Sequence, residues 1–288
     1  MNNDLLLSHK SQEPQNSVLY IVGTPIGNLN DISLRALNIF RKVSLIACED
    51  TRQTRKIMSK FEFTNNLISF NKHNSRKKIP KIINDLNSGE SIALVSDAGM
   101  PSICDPGEDL IKEARCNGIN IICIPGACAA TTALVSSGLP CSKFIFEGFL
   151  PKKNSERQKL LFEISRNDKT TIIFESPHRL KKLLLDLKNI CGGEREIHVS
   201  RELTKRFEEH IGNNIDQVIN SFKNREVIGE CTIVIKGINK KNQNDNYCKE
   251  ELKKELHDLT EAGLSLSAAS KYLAKKNNIR KNIIYDMY

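Results

Sequence analysis

Short apolar runs recur along the first half of the chain. Each ends in a cluster of Gly, Pro, Asn or Asp and is followed by residues with helical spacing. The runs are 18–22, 43–47, 67–70, 92–95 and 119–124. Their length, their Val and Ile content and their lack of polar alternation predict strands buried on both faces. Helices are predicted between them at about 32–41, 51–60, 79–86 and 107–116. This alternation predicts a largely parallel sheet covered by helices. From Phe144–Phe149 onward the pattern changes. The runs 170–174, 196–199, 207–211 and 231–235 lie closer together, with helices at 155–165, from 175 and at 215–222. That spacing predicts a second α/β layer with a mixed or antiparallel sheet.

The chain is therefore expected to be α/β, with an N-terminal α/β domain over 18–142 and a C-terminal α/β domain over 143–237. Residues 1–17 are expected to form a disordered leader and the polar stretch 238–249 a linker. Helical periodicity returns over 250–288, where Leu252, Leu256 and Leu259 share a face. Three short helices with a basic middle resemble a helix-turn-helix appendage, with a solvated helical tail as the alternative.

The loop after the fourth run concentrates special residues: Asp97 and Asp105, Gly99 and Gly107, Pro101 and Pro106. A loop of that composition at the carboxyl end of a strand is where open α/β sheets place ligands. The first strand leads into Gly23-Thr24-Pro25-Ile26-Gly27-Asn28, which lacks both the GxGxxG fingerprint and the phosphate-loop lysine. A nicotinamide dehydrogenase is thereby disfavoured. Asp50 or Thr51 could cap a helix, or join Glu49, Arg52 and Arg55 in holding a substrate. Ser176 and Pro177 read as a helix start, which leaves Glu175, His178 and Arg179 free.

Charge alters the picture more than composition does. The net charge is +9 with a pI near 9.0, which suits an anionic partner such as nucleic acid. Lys72, His73, Arg76, Lys77 and Lys78 form a basic loop suited to phosphate, as do Lys275, Lys276 and Arg280 near the end of the chain. With no Trp and 6% aromatics, a stacking platform is not evident. The nine Cys include no CxxC pair and fall mostly in apolar runs, so they read as reduced and buried. The six His show no metal-ligand spacing, so no metal is expected. No apolar run of membrane-spanning length occurs.

Nine motifs then stand in order. They are GTPIGN (23–28), CEDTR (48–52), SFNKHN (69–74), SDAGMP (96–101), PGAC (125–128), EGFLP (147–151), FESPHR (174–179), RELTK (201–205) and GECTIV (229–234). Together they resemble the bacterial 16S rRNA (cytidine-2′-O)-methyltransferases of the tetrapyrrole methylase superfamily. The resemblance implies two α/β domains of the tetrapyrrole methylase type, S-adenosylmethionine (SAM) in the cleft between them, and a cytoplasmic homodimer. It also implies 16S rRNA as the substrate, within the small ribosomal subunit, methylated at cytidine 1402 of the decoding region. Carried over by position, it puts Pro25, Asp97, Ala98, Gly99, Ala127, Cys128, Phe174, Leu203, Gly229 and Thr232 at the cofactor. Met100 and Cys128 depart from the family's usual Thr and Ser. A ribose hydroxyl is a weak nucleophile, and Glu175, His178, Asp50 and Glu49 are candidates for its general base. A tetrapyrrole methylase of the same fold and a non-catalytic RNA-binding protein are the rival readings.

Overall fold

In the computed structural model the described residues are 14–238, 249–277 and 281–288. Most of the expected leader, nearly all of the expected linker, and Arg280 lie outside them. Two compact units are present. One comprises the residues up to 165 together with 169–236, and the other 166–168 with 237–288.

The larger unit contains two five-stranded sheets. The first is built from β1 (Val18–Val22), β2 (Leu45–Cys48), β3 (Leu67–Ser69), β4 (Ile92–Val95) and β5 (Asn120–Ile124). The strands are all parallel and run in the order β3-β2-β4-β1-β5. The helices between them are α1 (Leu34–Lys42), α2 (Thr51–Lys60), α3 (Ser75–Asn87) and α4 (Glu108–Cys116). Ala36, Leu37, Ile39 and Phe40 of α1 and Ile57 of α2 pack on one face of the sheet. Ile79, Ile82, Ile83 and Leu86 of α3, with Leu110 and Ala114 of α4, pack on the other. β1 and β4 are buried throughout, which explains their unbroken apolar sequence. Every strand of this sheet points its carboxyl end to the same edge, so the five following loops gather there.

After α5 (Ala129–Ser136) the second sheet is formed by β6 (Phe144–Phe149), β7 (Thr170–Glu175), β8 (Ile197–Arg201), β9 (Glu209–Ile211) and β10 (Cys231–Ile235). Its order is β6-β7-β10-β8-β9, parallel only between β6 and β7. One face carries α6 (Asn154–Arg166), α7 (Pro177–Cys191) and α8 (Ile215–Phe222) over Ile173, Val199, Ile233 and Ile235. The other face meets α5, whose Ala130, Ala133 and Leu134 pack on Ile172 and Val234.

The smaller unit holds α9 (Lys249–Glu261), α10 (Leu266–Asn277) and α11 (Lys281–Tyr285) around Leu252, Leu256, Ala269, Leu273 and Ile284.

Several details differ from the expectation. α1 begins at Leu34 because the Ser33 hydroxyl accepts the Ala36 N–H at 3.1 Å. Val43 ends that helix, its N–H bonded to the Ile39 carbonyl, and β2 starts only at Leu45. The basic stretch 72–78 is a loop only to Asn74. The Asn71 side chain accepts the N–H groups of His73 and Asn74, which closes a turn and lets α3 start at Ser75. Arg76, Lys77 and Lys78 therefore stand on its first turn. The eight described cysteines are free, but Cys116, Cys123 and Cys141 are exposed rather than buried. Cys116 ends α4 and Cys123 lies on the edge strand β5.

Candidate functional site

Three loops at the carboxyl edge of the first sheet are fastened by backbone. Thr24 and Gly99 pair antiparallel, with Thr24 N–H to Gly99 O at 2.9 Å and Gly99 N–H to Thr24 O at 3.1 Å. The Thr24 hydroxyl donates to the Ser96 carbonyl at 3.2 Å. Gly99 has φ +82°, a conformation that a side chain would strain. Gly23 faces Gly126 so closely that a Cβ on Gly23 would lie 2.7 Å from the Gly126 Cα. The loop after β2 is joined through Asp97, whose Oδ1 accepts the Asp50 N–H at 2.9 Å.

This junction gathers acid. Burial and the proximity of Asp105 and Asp97 push the Glu49 carboxyl up, against the Asp97 backbone and Lys72. Burial raises Asp97 as well, against the hydrogen bond it accepts from the Asp50 amide. Asp105 is also raised by burial, while the Ser96 hydroxyl and Lys72 oppose the shift. Asp50 goes the other way: its hydrogen bonds from Arg52 hold it down at about 2. Lys72 reaches across to donate to the Cys104 carbonyl at 3.0 Å. Ser102 and Cys104 both adopt positive φ, +71° and +67°, so this loop is strained where it passes the acids. A cavity of about 380 Å³ opens beside them, lined by Glu49, Asp50, Arg52, Ser69, Asn71 and Lys72 among others.

The second sheet supplies the opposite wall. Ile26, Leu203, Ala130, Ile172 and Val234 share one apolar cluster, with Ala127, Cys128 and Phe174 against it. The Asn28 N–H donates to the Thr204 hydroxyl at 3.0 Å. A Cβ on Gly27 would collide with Lys205 and Thr204. A small gap of about 30 Å³ remains between Ile26, Ala129, Leu203, Glu230 and Thr232. Phe174 meets Phe146 and Phe149 edge-on, at centroid distances of 5.0 and 5.5 Å. Gly229 has φ +92° and abuts Glu202, which accepts the Glu230 N–H at 3.1 Å and pairs with Lys205.

Of the ten residues expected at the cofactor, Ala127, Cys128, Phe174 and Leu203 share the apolar cluster, and Leu203 and Thr232 border the small gap. Gly99 is paired with Thr24, with Pro25 and Ala98 next to that pair in the chain, Asp97 holds the Asp50 amide, and Gly229 abuts Glu202. Of the four residues weighed as the general base, Glu49 and Asp50 line one cavity, and Glu175 and His178 are not part of its lining. Asp50 caps α2 and is occupied by Arg52. His178 is exposed on the first turn of α7. The Glu175 side chain is 1% exposed and pairs with Arg157 at 3.0 Å and Arg179 at 3.3 Å. A carboxylate so enclosed is not presented to an acceptor hydroxyl. Of the basic groups, Lys72, His73, Arg76 and Lys77 are exposed, Lys78 half-buried, and Lys275 and Lys276 exposed on α10. Lys276 pairs with Glu255.

Arg157 is the residue that sequence reasoning missed. It is 4% exposed, inside a helix whose first half is wholly polar. The signal available was spacing: Arg157, Leu161 and Ile164 lie on one helical face, and all three are buried.

The family Tetrapyrrole (Corrin/Porphyrin) Methylases matches residues 18–219. The chain is 40% identical over 270 residues to the ribosomal RNA small subunit methyltransferase I of Synechocystis, covering 94% of this chain and 96% of that one. It is 44% identical over 219 residues to the protein of the same name from Thermotoga maritima, covering 76% and 98%. Among solved structures it resembles uroporphyrin-III C-methyltransferase from Thermus thermophilus complexed with S-adenosylhomocysteine. That match has a TM-score of 0.53 at 12% identity and covers 75% of this chain and 96% of the other, a likeness of fold.

Proposed function

The chain belongs to the tetrapyrrole methylase family and, within it, to the ribosomal RNA small subunit methyltransferase I group, and on that premise we propose that it methylates a ribose 2′-hydroxyl of 16S rRNA. The acceptor is a cytidine of the decoding region, cytidine 1402 by the resemblance. The observation that carries this reading is the apolar junction at which Ile26 and Ala127 of the first-sheet loops meet Leu203 and Phe174 of the second sheet.

The residues fit SAM. Ala127, Ala129 and Ala130 leave an apolar wall without bulk, as a nucleoside face requires. Gly23 and Gly126 admit no Cβ, so the loops on that wall stay in backbone contact. Asp97 and Glu49 supply negative charge toward a cationic sulfonium. When bound, the cofactor supplies a methyl carbon activated by that sulfonium, open to in-line displacement by an oxygen nucleophile.

The chain's own part is to hold the acceptor oxygen in line and to receive its proton. Asp97, fastened to the Asp50 amide, fixes the junction of the second and fourth loops. Glu49 is best placed to take the 2′-hydroxyl proton. It lines the cavity beside Asn71 and Lys72, and its raised carboxyl makes it a stronger base than an ordinary carboxylate. Lys72, Arg76 and Lys77 carry positive charge around the same side for RNA phosphates, with the His73 ring as a further hydrogen-bonding group. The same family resemblance supports a cytoplasmic homodimer acting on the small subunit. Among the described residues no helix is long and apolar enough to cross a membrane.

The test uses purified protein, labelled SAM and small ribosomal subunits lacking this methylation, followed by alkaline hydrolysis of the rRNA. A methylated 2′-oxygen cannot attack its neighbouring phosphate, so one linkage beside one decoding-region cytidine is expected to survive. SAM binding without label in RNA would overturn the reading in favour of a small-molecule acceptor.

A further inference from the structure

The Glu175–Arg179 part of the motif that begins at Phe174 lies outside the cofactor site. Glu175 closes β7, and Arg179 stands one turn into α7, on the sheet face that carries α6 and α7. The apolar junction lies against the opposite face, with α5. On the α6–α7 side Arg157, Arg179, Lys152, Lys182 and Asn154 line a cavity of about 300 Å³. Four of the five are cations.

The acids around them are Glu175 and Asp186, and both are engaged. Glu175 Oε2 accepts from Arg157 Nη1 at 3.0 Å, and its Oε1 accepts the Ser176 N–H at 2.8 Å beside Arg179. Asp186 accepts from Arg157 Nε at 3.3 Å. Arg179 also donates to the Leu150 and Pro151 carbonyls at 3.2 and 3.4 Å. One guanidinium nitrogen is left over. Arg157 Nη2 is buried and has no acceptor. A buried, unpaired N–H of a cation is costly unless an acceptor comes to it. Lys152 and Lys182 are exposed at the rim and form no ion pair among the described residues. With four cations against two acids the cavity keeps a positive surplus. The amino end of the fifteen-residue helix α7 adds to it.

We propose that this cavity is a phosphate-group site that holds one backbone phosphodiester of the RNA substrate. The inference rests on the methyltransferase reading above. A tetrahedral oxyanion presents acceptors to Arg157 Nη2 and to both lysines at once, which a single carboxylate does less well. Glu175 is then a positioning residue. It aligns the two arginines and offsets part of their charge, so that the site is rigid before the anion arrives. The RNA would pass over the end of the second sheet, with one contact on each face.

The experiment compares the full chain with the K152A/K182A variant, whose changed residues are exposed and outside the cofactor site. Binding to small ribosomal subunits lacking the methylation is measured by filter retention across a salt series. The variant is expected to bind about tenfold more weakly at low salt, and its slope of log affinity against log salt is expected to fall by about one. Its thermal shift on adding SAM should equal that of the unaltered chain. Equal affinity and slope in the two proteins would overturn the proposal. Failure of the unaltered chain to bind subunits at all would instead remove the rRNA reading. Inorganic phosphate, titrated at constant ionic strength, then separates the remaining cases. Where the two proteins bind subunits equally, stabilisation of the unaltered chain but not of the variant would keep an anion site and overturn its assignment to RNA. No stabilisation of either would overturn the site itself.

Discussion

Gly23 and Gly126 stand main chain against main chain, each occupying the space in which the other's side chain would begin. A Cβ on Gly126 would meet Gly23 backbone atoms at 2.8 Å, and neither strand end has a flexible group that could give way. Gly126→Ala is therefore expected to force the loops after β1 and β5 apart. Overpacking of this kind costs about 2 kcal/mol, or a fall of roughly 4–8 °C in melting temperature for a chain this long. Isothermal titration with SAM should show weaker binding as well. A variant that melts and binds SAM as before would show that the two loops are not held in contact.

Asp97 ties the loop after β4 to the loop after β2 by accepting the Asp50 amide. Asp97→Ala removes a hydrogen bond to a charged acceptor, worth about 1.5–3 kcal/mol, and with it the alignment of the acceptor pocket. Methyl transfer is expected to fall about 10- to 100-fold in kcat/KM. Single-turnover assays with small subunits check it. Unchanged turnover and SAM affinity would remove Asp97 from the site.

Glu49, Asp97 and Asp105 crowd one junction, and Asp105 sits above the usual carboxylate range because it is buried. The folded chain thus holds that proton more tightly than the unfolded chain does. Stability declines as pH rises from the unfolded value of about 3.9 through the raised folded value. Asp105→Asn keeps an acceptor for Ser96 and removes the charge. The variant is expected to melt higher than the unaltered chain at pH 7. The difference should shrink to nothing as pH falls below the unfolded value. A series of melting curves from pH 3 to 8 is the measurement, and a variant less stable at pH 7 would refute the argument.

Glu175→Gln separates a structural carboxylate from a catalytic one. Removing one partner from the buried cluster of Arg157 and Arg179 is expected to cost about 3 kcal/mol, seen in urea unfolding. Methylation per folded molecule should stay within a few-fold of normal. Loss of turnover by more than two orders of magnitude, with fold and SAM binding intact, would return Glu175 to the role of base.

The parallel sheet and its loops were legible in the sequence because β1 and β4 are buried on both faces. An uninterrupted Val/Ile/Leu run has few other uses. The GTPIGN and SDAGMP stretches were legible for a related reason: Gly23 and Gly99 occupy positions that exclude side chains. What escaped was the pairing of distant charges. Nothing local distinguishes Arg157 from the exposed cations around it, since its burial depends on Glu175 and Asp186 arriving from other elements. Glu175 looked available for the same reason, because the motif shows the carboxylate and not its partners. The start of α3 was obscured by its own composition. A run of Arg and Lys reads as solvated chain until the Asn71 turn sets the helix going at Ser75.

Helix α5 follows the last strand of the first sheet yet lays its apolar face on the second. The second sheet's hydrophobic interior is therefore completed by a helix from the first half of the chain. A chain severed near residue 142 would leave Ala133 and Leu134 uncovered on one fragment and Ile172 and Val234 on the other. The two sheets are expected to melt in one cooperative step. Helix α5 thus belongs to the second sheet by packing and to the first only by sequence, and the sheets are joined through the short stretch 125–128, where Gly126 lies against Gly23.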